Sequence, residues 1–86
     1  MLYYLQFSIM ENLDKEIESK ILKIAEKIKL LRKAKGFSSY ETFAFEYEIN
    51  RVQYWRIETG RNITLKTLLK VLSIHKISLE TFFKDL

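Results

Sequence analysis

The segment that decides the fold is residues 49–60, INRVQYWRIETG. Asn50 is a good N-cap, because its side-chain oxygen can accept a hydrogen bond from the free N–H groups of a first helical turn. Gly60 suits the left-handed position that follows the last residue of a helix. The segment therefore predicts a helix of about two turns.

This predicted helix has an apolar inner face and a largely basic outer face. Tyr54 and Ile57 lie three positions apart and share the inner face. The outer face carries Arg51, Val52, Trp55 and Arg56. A guanidinium can donate two hydrogen bonds to guanine O6 and N7, and an apolar group can contact a thymine methyl. The outer face thus suits base edges in a DNA groove, although a solvated basic helix has the same pattern.

Composition restricts the fold class and the compartment. The chain has 86 residues, no Pro, no Cys, two Gly and 48% apolar residues. These values indicate one all-helical domain without disulfides or thiolate metal sites. No segment reaches the ~18 apolar residues of a membrane span, and residues 1–10 lack the features of a secretory signal. We therefore expect a cytoplasmic protein that has no cofactor and does not contact a membrane.

The net charge of +4 is unevenly distributed along the chain. Residues 1–19 carry a net −3, residues 20–35 a net +6, residues 36–60 a net −2 and residues 61–86 a net +3. Segregated positive charge favours a polyanionic partner, because basic side chains neutralise phosphates.

Apolar spacing and N-caps predict five helices. The first runs from Asn12 or Leu13 to Lys35, with Ile17, Ile21, Ile24, Ile28 and Leu31 on one face. The last three of these are assigned to the core, whereas Ile17 and Ile21 belong either to the core or to a contact with another chain. The caps of the other helices are Ser39, Asn50, Thr64 and Ser78. Phe43, Ala44 and Tyr47 face inward in the second helix, whereas the fourth helix carries Leu65, Leu68, Leu69 and Leu72, and the fifth carries Leu79, Phe82, Phe83 and Leu86. Ile17, Ile21, Phe83 and Leu86 exceed what one small core can use, so we expect a dimer contact at either the first helix and its leader or the last helix.

Residues 1–12 are expected to form an N-terminal arm or leader ahead of a domain at 13–86. Leu5, Phe7 and Ile9 alternate with polar residues, which is the period of a strand. Two alternatives stay open. Residues 1–12 form either an extended arm packed on this or a partner subunit, or a disordered leader, in which case Met10 is a candidate translation start.

A set of residues between positions 24 and 83 matches a known pattern. It comprises Ser39, Phe43-Ala44, Ile49-Asn50-Arg51, Tyr54, the run Arg56-Ile57-Glu58-Thr59-Gly60, Thr64-Leu65, Leu68-Leu69 and Ile77-Ser78-Leu79-Glu80. In these residues the chain resembles the helix-turn-helix family of phage lambda-type repressors and Cro, the XRE-like regulators. The resemblance implies an all-α domain of five helices that lays its third helix in the major groove of double-stranded DNA, usually as a homodimer.

The resemblance also implies the roles of individual residues. Arg51, Val52 and Arg56 match positions that commonly face bases, and Trp55 completes the same outer face. The positions that match phosphate contacts are Ser39, Tyr40, Asn50, Gln53, Arg61, Asn62, Thr64 and Lys66. Arg32 and Glu58 match a pair that in relatives forms an internal ion pair.

Three departures from the family pattern affect the turns. Glu48 stands where the family usually has Gly, so it either adopts a left-handed conformation at a cost of about 1 kcal/mol or marks a different turn. His75-Lys76 replaces the usual Leu-Gly after the fourth helix. The link Phe37-Ser38-Ser39 is one residue longer than usual, which allows the register of the second helix to slip.

We interpret the chain as a sequence-specific DNA-binding transcription regulator, which is either a repressor or an activator. Enzymatic activity is not expected, since one His, no Cys and no clustered carboxylates leave neither a nucleophile–base pair nor a metal site. The alternative function is the antitoxin, or another protein-interaction module, of a toxin–antitoxin pair. Tyr54 and Trp55 would suit such a protein interface as well as DNA.

Overall fold

The computed structural model describes residues 2–61 and 63–86, apart from the side chains of residues 2–5 and 7. These residues form five α-helices and no strand: α1 (Leu2–Ala34), α2 (Tyr40–Glu46), α3 (Arg51–Glu58), α4 (Leu65–Ile74) and α5 (Leu79–Phe83). The predicted all-α fold of five helices with an extended first helix is confirmed.

The predicted N-caps fix the starts of α2 to α5. Ser39 Oγ accepts a hydrogen bond from the Glu41 N–H at 3.1 Å. The side chains of Asn50, Thr64 and Ser78 each accept from the N–H three positions further on. Each cap satisfies an N–H group that has no partner within its helix. Because Ser39 caps α2, the longer link before it does not shift the register of that helix.

Helix α1 is longer than the sequence pattern predicts. It begins at Leu2, not near Asn12 or Leu13, so an extended or disordered arm over residues 2–12 is the wrong prediction. A short alternation of apolar residues does not produce a strand without a neighbouring strand to pair with, whereas each residue added to an existing helix gains a hydrogen bond. Within the described residues, no helix is both long and apolar enough to cross a membrane.

The core lies where α2, α3, α4 and α5 pack on the C-terminal half of α1. Its buried members include Ile28, Phe43, Ala44, Tyr54, Ile57, Leu68, Val71, Leu72 and Phe82. Phe43 is central, with the rings of Phe37, Tyr47, Tyr54 and His75 at centroid distances of 4.8 to 5.3 Å. This aromatic cluster joins α2 to α3 and to the end of α4, and so fixes the helix-turn-helix unit as one piece.

Two helices bury only part of their apolar residues. In α4, Val71 is buried beside Leu68 and Leu72, while Leu65 and Leu69 are exposed. In α5, Phe82 is buried, whereas Leu79 and Phe83 are exposed, as is Leu86 beyond the end of the helix. The apolar arc of each helix is wider than the arc that the core covers, and tertiary packing decides which part turns inward.

The two non-glycine turns have left-handed backbones. Glu48 and Lys76 both have φ of 55°. The next residues close the preceding helices, since the Ile49 N–H donates to the Ala44 carbonyl at 2.8 Å and the Ile77 N–H to the Leu72 carbonyl at 3.1 Å. These bonds span five residues, as in the Schellman ending of a helix. Of the two alternatives for Glu48, the left-handed conformation is the one found.

Candidate nucleic-acid interface

Helix α3 presents the two faces that its sequence predicts. Tyr54 and Ile57 are buried in the core. Arg51, Val52, Trp55 and Arg56 are exposed, with Val52 52% and Trp55 39% accessible. The exposed face thus combines two guanidiniums, an aliphatic side chain and an indole.

The C-terminal end of α3 is held close to α1. Gly60 has a φ of 77°, and a Cβ at this position would lie 2.6 Å from Leu22 Cδ2. Gly60 therefore supplies the left-handed ending, and its missing side chain leaves room for the Leu22 side chain of α1.

A buried ion pair fixes the orientation of α3 on α1. Arg32 Nε donates to Glu58 Oε2 at 2.7 Å, and Arg32 Nη2 donates to Glu58 Oε1 at 3.0 Å. Arg32 Nη1 also donates to the Phe37 carbonyl at 2.8 Å. The Arg32 and Glu58 side chains are only 4% and 7% exposed. The hydrogen bond to Glu58 raises the pKa of Arg32, and burial raises the pKa of the neighbouring Tyr54 phenol.

Residues on both sides of α3 lie beside its exposed face. On one side Gln53 and Arg56 share a shallow cleft with Thr64 and Thr67. An adjoining cleft contains Asn50, Gln53, Thr64 and Lys66. On the other side, Tyr40 lines a cleft with Arg51, Val52 and Trp55. The structure therefore brings most of the proposed contact residues to one surface, with α3 between two flanks.

Several of these side chains already have partners. Arg51 Nη1 lies 3.4 Å from Glu41 Oε2, and both side chains are more than half exposed. The Arg61 guanidinium lies 5.9 Å from the centroid of the Trp55 ring. Ser39, Asn50 and Thr64 use side-chain oxygens as helix caps. The exposed ion pair contributes only about 0–1 kcal/mol, so a ligand can displace it at small cost.

The chain is similar to a protein whose name describes it as a control protein. The control protein C.MunI of Mycoplasma sp. is 36% identical over 66 residues, which cover 76% of this chain and 89% of the relative. The chain belongs to the control protein family. It is a regulator of the helix-turn-helix type. No protein-family model matches the chain, and no solved structure matches it significantly.

In this member of the control protein family, α4 contributes two cleft residues that the sequence analysis did not single out. Thr67 lines both clefts beside Gln53, and Lys70 lines the second. Lys70 Nζ donates to the Glu48 carbonyl at 3.3 Å. The available signal was helical spacing, since Lys70 follows Lys66 by one turn.

Asn62, a predicted phosphate contact, lies outside the described residues. Among the described residues, no three His, Cys, Asp or Glu side chains are grouped closely enough to hold a metal ion.

Proposed function

We propose that the chain is a transcription regulator of the lambda repressor and Cro type that reads double-stranded DNA with α3 in the major groove. The observation that carries this proposal is the exposed row Arg51, Val52 and Arg56. Its helix is anchored from below by Tyr54 and Ile57 and at its end by the ion pair of Glu58. A helix fixed in this way presents its outer side chains in one orientation, as base reading requires.

The outer face of α3 supplies the base contacts in this proposal. Arg51 and Arg56 donate in pairs to guanine edges, and Val52 contacts a thymine methyl group. Trp55 extends the apolar part of the same surface. To reach a base, Arg51 must break its ion pair with Glu41. This costs little free energy, because the ion pair is exposed to solvent.

The two flanks of α3 supply the phosphate contacts. Gln53, Thr64 and Lys66 line clefts on the α4 side, where Lys70 adds another positive charge. Ser39 and Tyr40 lie on the α2 side, and Asn50 caps α3 itself. Arg61 and Asn62 are proposed as further phosphate contacts. Such contacts set the position and orientation of a protein on the duplex, while base contacts select the sequence.

The proposed working form is a cytoplasmic homodimer on a pseudo-palindromic site. In helix-turn-helix dimers the two recognition helices lie about 34–36 Å apart, one turn of DNA. The operator should therefore contain two inverted half-sites whose centres are about one helical turn apart.

Selection of bound sequences from random duplex DNA tests the proposal. We expect enrichment of one pseudo-palindrome and a steep linear fall of log affinity with log salt concentration, because bound phosphates release counterions. Failure to enrich any sequence, together with binding that does not depend on salt, would contradict DNA reading.

The competing function is that of an antitoxin or protein-interaction module. Large exposed apolar side chains favour it, above all Phe45, which is 85% exposed on α2. A toxin partner would bind through such apolar surface and keep its affinity at high salt, unlike DNA.

A further inference from the structure

One apolar stripe runs along most of α1, but the domain covers only part of it. Its members are Met10, Leu13, Ile17, Ile21, Ile24, Ile28 and Leu31, separated by three or four positions. Ile28 is buried, and Ile24 and Leu31 pack against the core. Met10, Leu13 and Ile17 are 64%, 51% and 45% exposed. The same stripe is therefore packed at one end and bare at the other.

The bare end projects away from the domain. Helix α1 contains 33 residues, and the molecule measures 54 Å along its longest axis against 26 and 21 Å along the others. Residues 9–20 are all exposed. In proteins, most of the stability of an amphipathic helix comes from the packing of its apolar face. The N-terminal part of the stripe is therefore exposed to solvent, although its apolar spacing is that of a packed helix face.

An open groove lies beside the point where the stripe enters the domain. Lys20, Lys23 and Ile24 of α1 line one side, and Phe83 and Leu86 line the other. Its volume is about 330 Å³, compared with the roughly 150 Å³ of a protein cavity that holds benzene. Phe83 and Leu86 are 39% and 43% exposed. The groove has room for more than one aliphatic side chain.

We infer that the occupant of the groove is the N-terminal half of α1 from a second copy of this chain. The two α1 helices lie antiparallel, with Ile17 near the partner's Ile21 and Leu13 in the partner's groove. Each protomer then gives one helix end and receives one, as a two-fold axis requires. The inference rests on the proposed homodimer and specifies its interface, but it does not depend on DNA binding.

Charge selects this arrangement over the alternatives. Residues 11–18 carry a net −3, whereas residues 20–29 carry a net +3. Antiparallel exchange places the acidic segment of each copy along the basic segment of the other. Parallel helices would place the two acidic segments, each with a net charge of −3, beside each other. Antiparallel helices that pair only through their acidic ends would do the same. At physiological salt such charges interact within about 8 Å, which is the separation of packed helices.

Sedimentation of two matched double variants tests the inference. Leu13→Asp/Ile17→Asp adds two charges to the stripe, whereas Asn12→Asp/Ser19→Asp adds two charges to the opposite face of the same exposed segment. We expect the first to raise the dimer dissociation constant at least about tenfold and the second to keep the wild-type value. A stripe variant as dimeric as the wild type, or a wild-type monomer at all concentrations, would overturn the inference.

Cysteine cross-linking tests the orientation, because the natural chain has no Cys. An equimolar mixture of Ile17→Cys and Ile21→Cys should oxidise mainly to the mixed 17–21 disulfide. Preferential formation of 17–17 and 21–21 disulfides in the separate variants would show parallel helices and overturn the antiparallel arrangement.

Binding to a duplex with one half-site separates this inference from the proposed function. If both hold, the Leu13→Asp/Ile17→Asp monomer binds one half-site as wild type does but loses the added affinity for two. Wild-type dimers that bind no selected duplex would refute DNA reading and leave the α1 interface standing.

Discussion

Arg32 connects three parts of the domain through one side chain. Its guanidinium on α1 binds both carboxylate oxygens of Glu58 at the end of α3 and the carbonyl of Phe37 in the link to α2. Because the pair is almost fully buried, removing one partner leaves the other charge without water or a counterion. The pair therefore holds the end of α3 in place against α1, and α3 carries the proposed base contacts.

A double-mutant cycle measures this coupling. Arg32→Ala and Glu58→Ala should each lower the free energy of unfolding by about 3–5 kcal/mol, and the double variant by less than the sum. Glu41→Ala, which removes the exposed partner of Arg51, should cost less than about 1 kcal/mol. Urea unfolding provides the values, and small additive losses at Arg32 and Glu58 would show that the pair is not coupled.

His75 makes stability depend on pH. Its ring stacks on Phe43 at 5.3 Å, and its buried Nε2 has no hydrogen-bond partner within the described part of the chain. Burial, with a smaller contribution from the charge of Lys35, lowers the pKa of His75 below its ordinary 6.5. Below pH 6.5 the unfolded chain therefore binds the proton more readily than the folded one, so stability falls as the pH falls.

Comparison of wild type with His75→Leu isolates this effect, because the chain has one His. The free energy of unfolding of the wild type should decrease between pH 7.5 and pH 5.5, and that of the variant should decrease less. Equal pH dependence in the two proteins would mean that His75 is free to protonate in the folded state.

At the scale of the helices, local signals in the sequence were the most reliable. Ser39, Asn50, Thr64 and Ser78 cap the four helices that they were predicted to cap. A cap is a contact within a few residues, so it can be recognised without knowledge of the tertiary structure. The sequence does not decide between the two alternatives for the turn at Glu48, because it does not show whether packing outweighs the cost of a left-handed Glu.

Replacing Glu48 tests that cost. Glu48→Gly should raise the free energy of unfolding by about 0.5–1 kcal/mol, after allowance for the greater entropy of Gly in the unfolded chain. Glu46→Gly, two residues earlier and inside α2, should lower it by about 0.5 kcal/mol. A loss of stability at both positions would show that the Glu48 side chain makes contacts that outweigh its backbone strain.

At the scale of the whole molecule, the sequence left more undetermined. The choice of Val71 over Leu65 and Leu69 depends on which face of α4 meets the core, and no local pattern fixes that rotation. The sequence pattern does not predict the start of α1 at Leu2, because the alternation over residues 5–9 has the period of a strand, and a strand forms only when another strand is available. For the site, the helical period predicts the outer face of α3, whereas the positions of Thr67 and Lys70 beside that face depend on how α4 packs against α3.

The measurement that bears most directly on DNA reading by α3 is the affinity of wild type and variants for the selected duplex and its single-base substitutions. Arg51→Ala and Arg56→Ala should each lose about 1–3 kcal/mol on the selected duplex and relax the preference at one base position. Lys66→Ala should weaken binding to all duplexes alike. The control Lys84→Ala changes a residue that follows α5, and it should leave the base preference unchanged. Both arginine variants binding every duplex as tightly as the wild type would contradict the placement of α3 in the major groove.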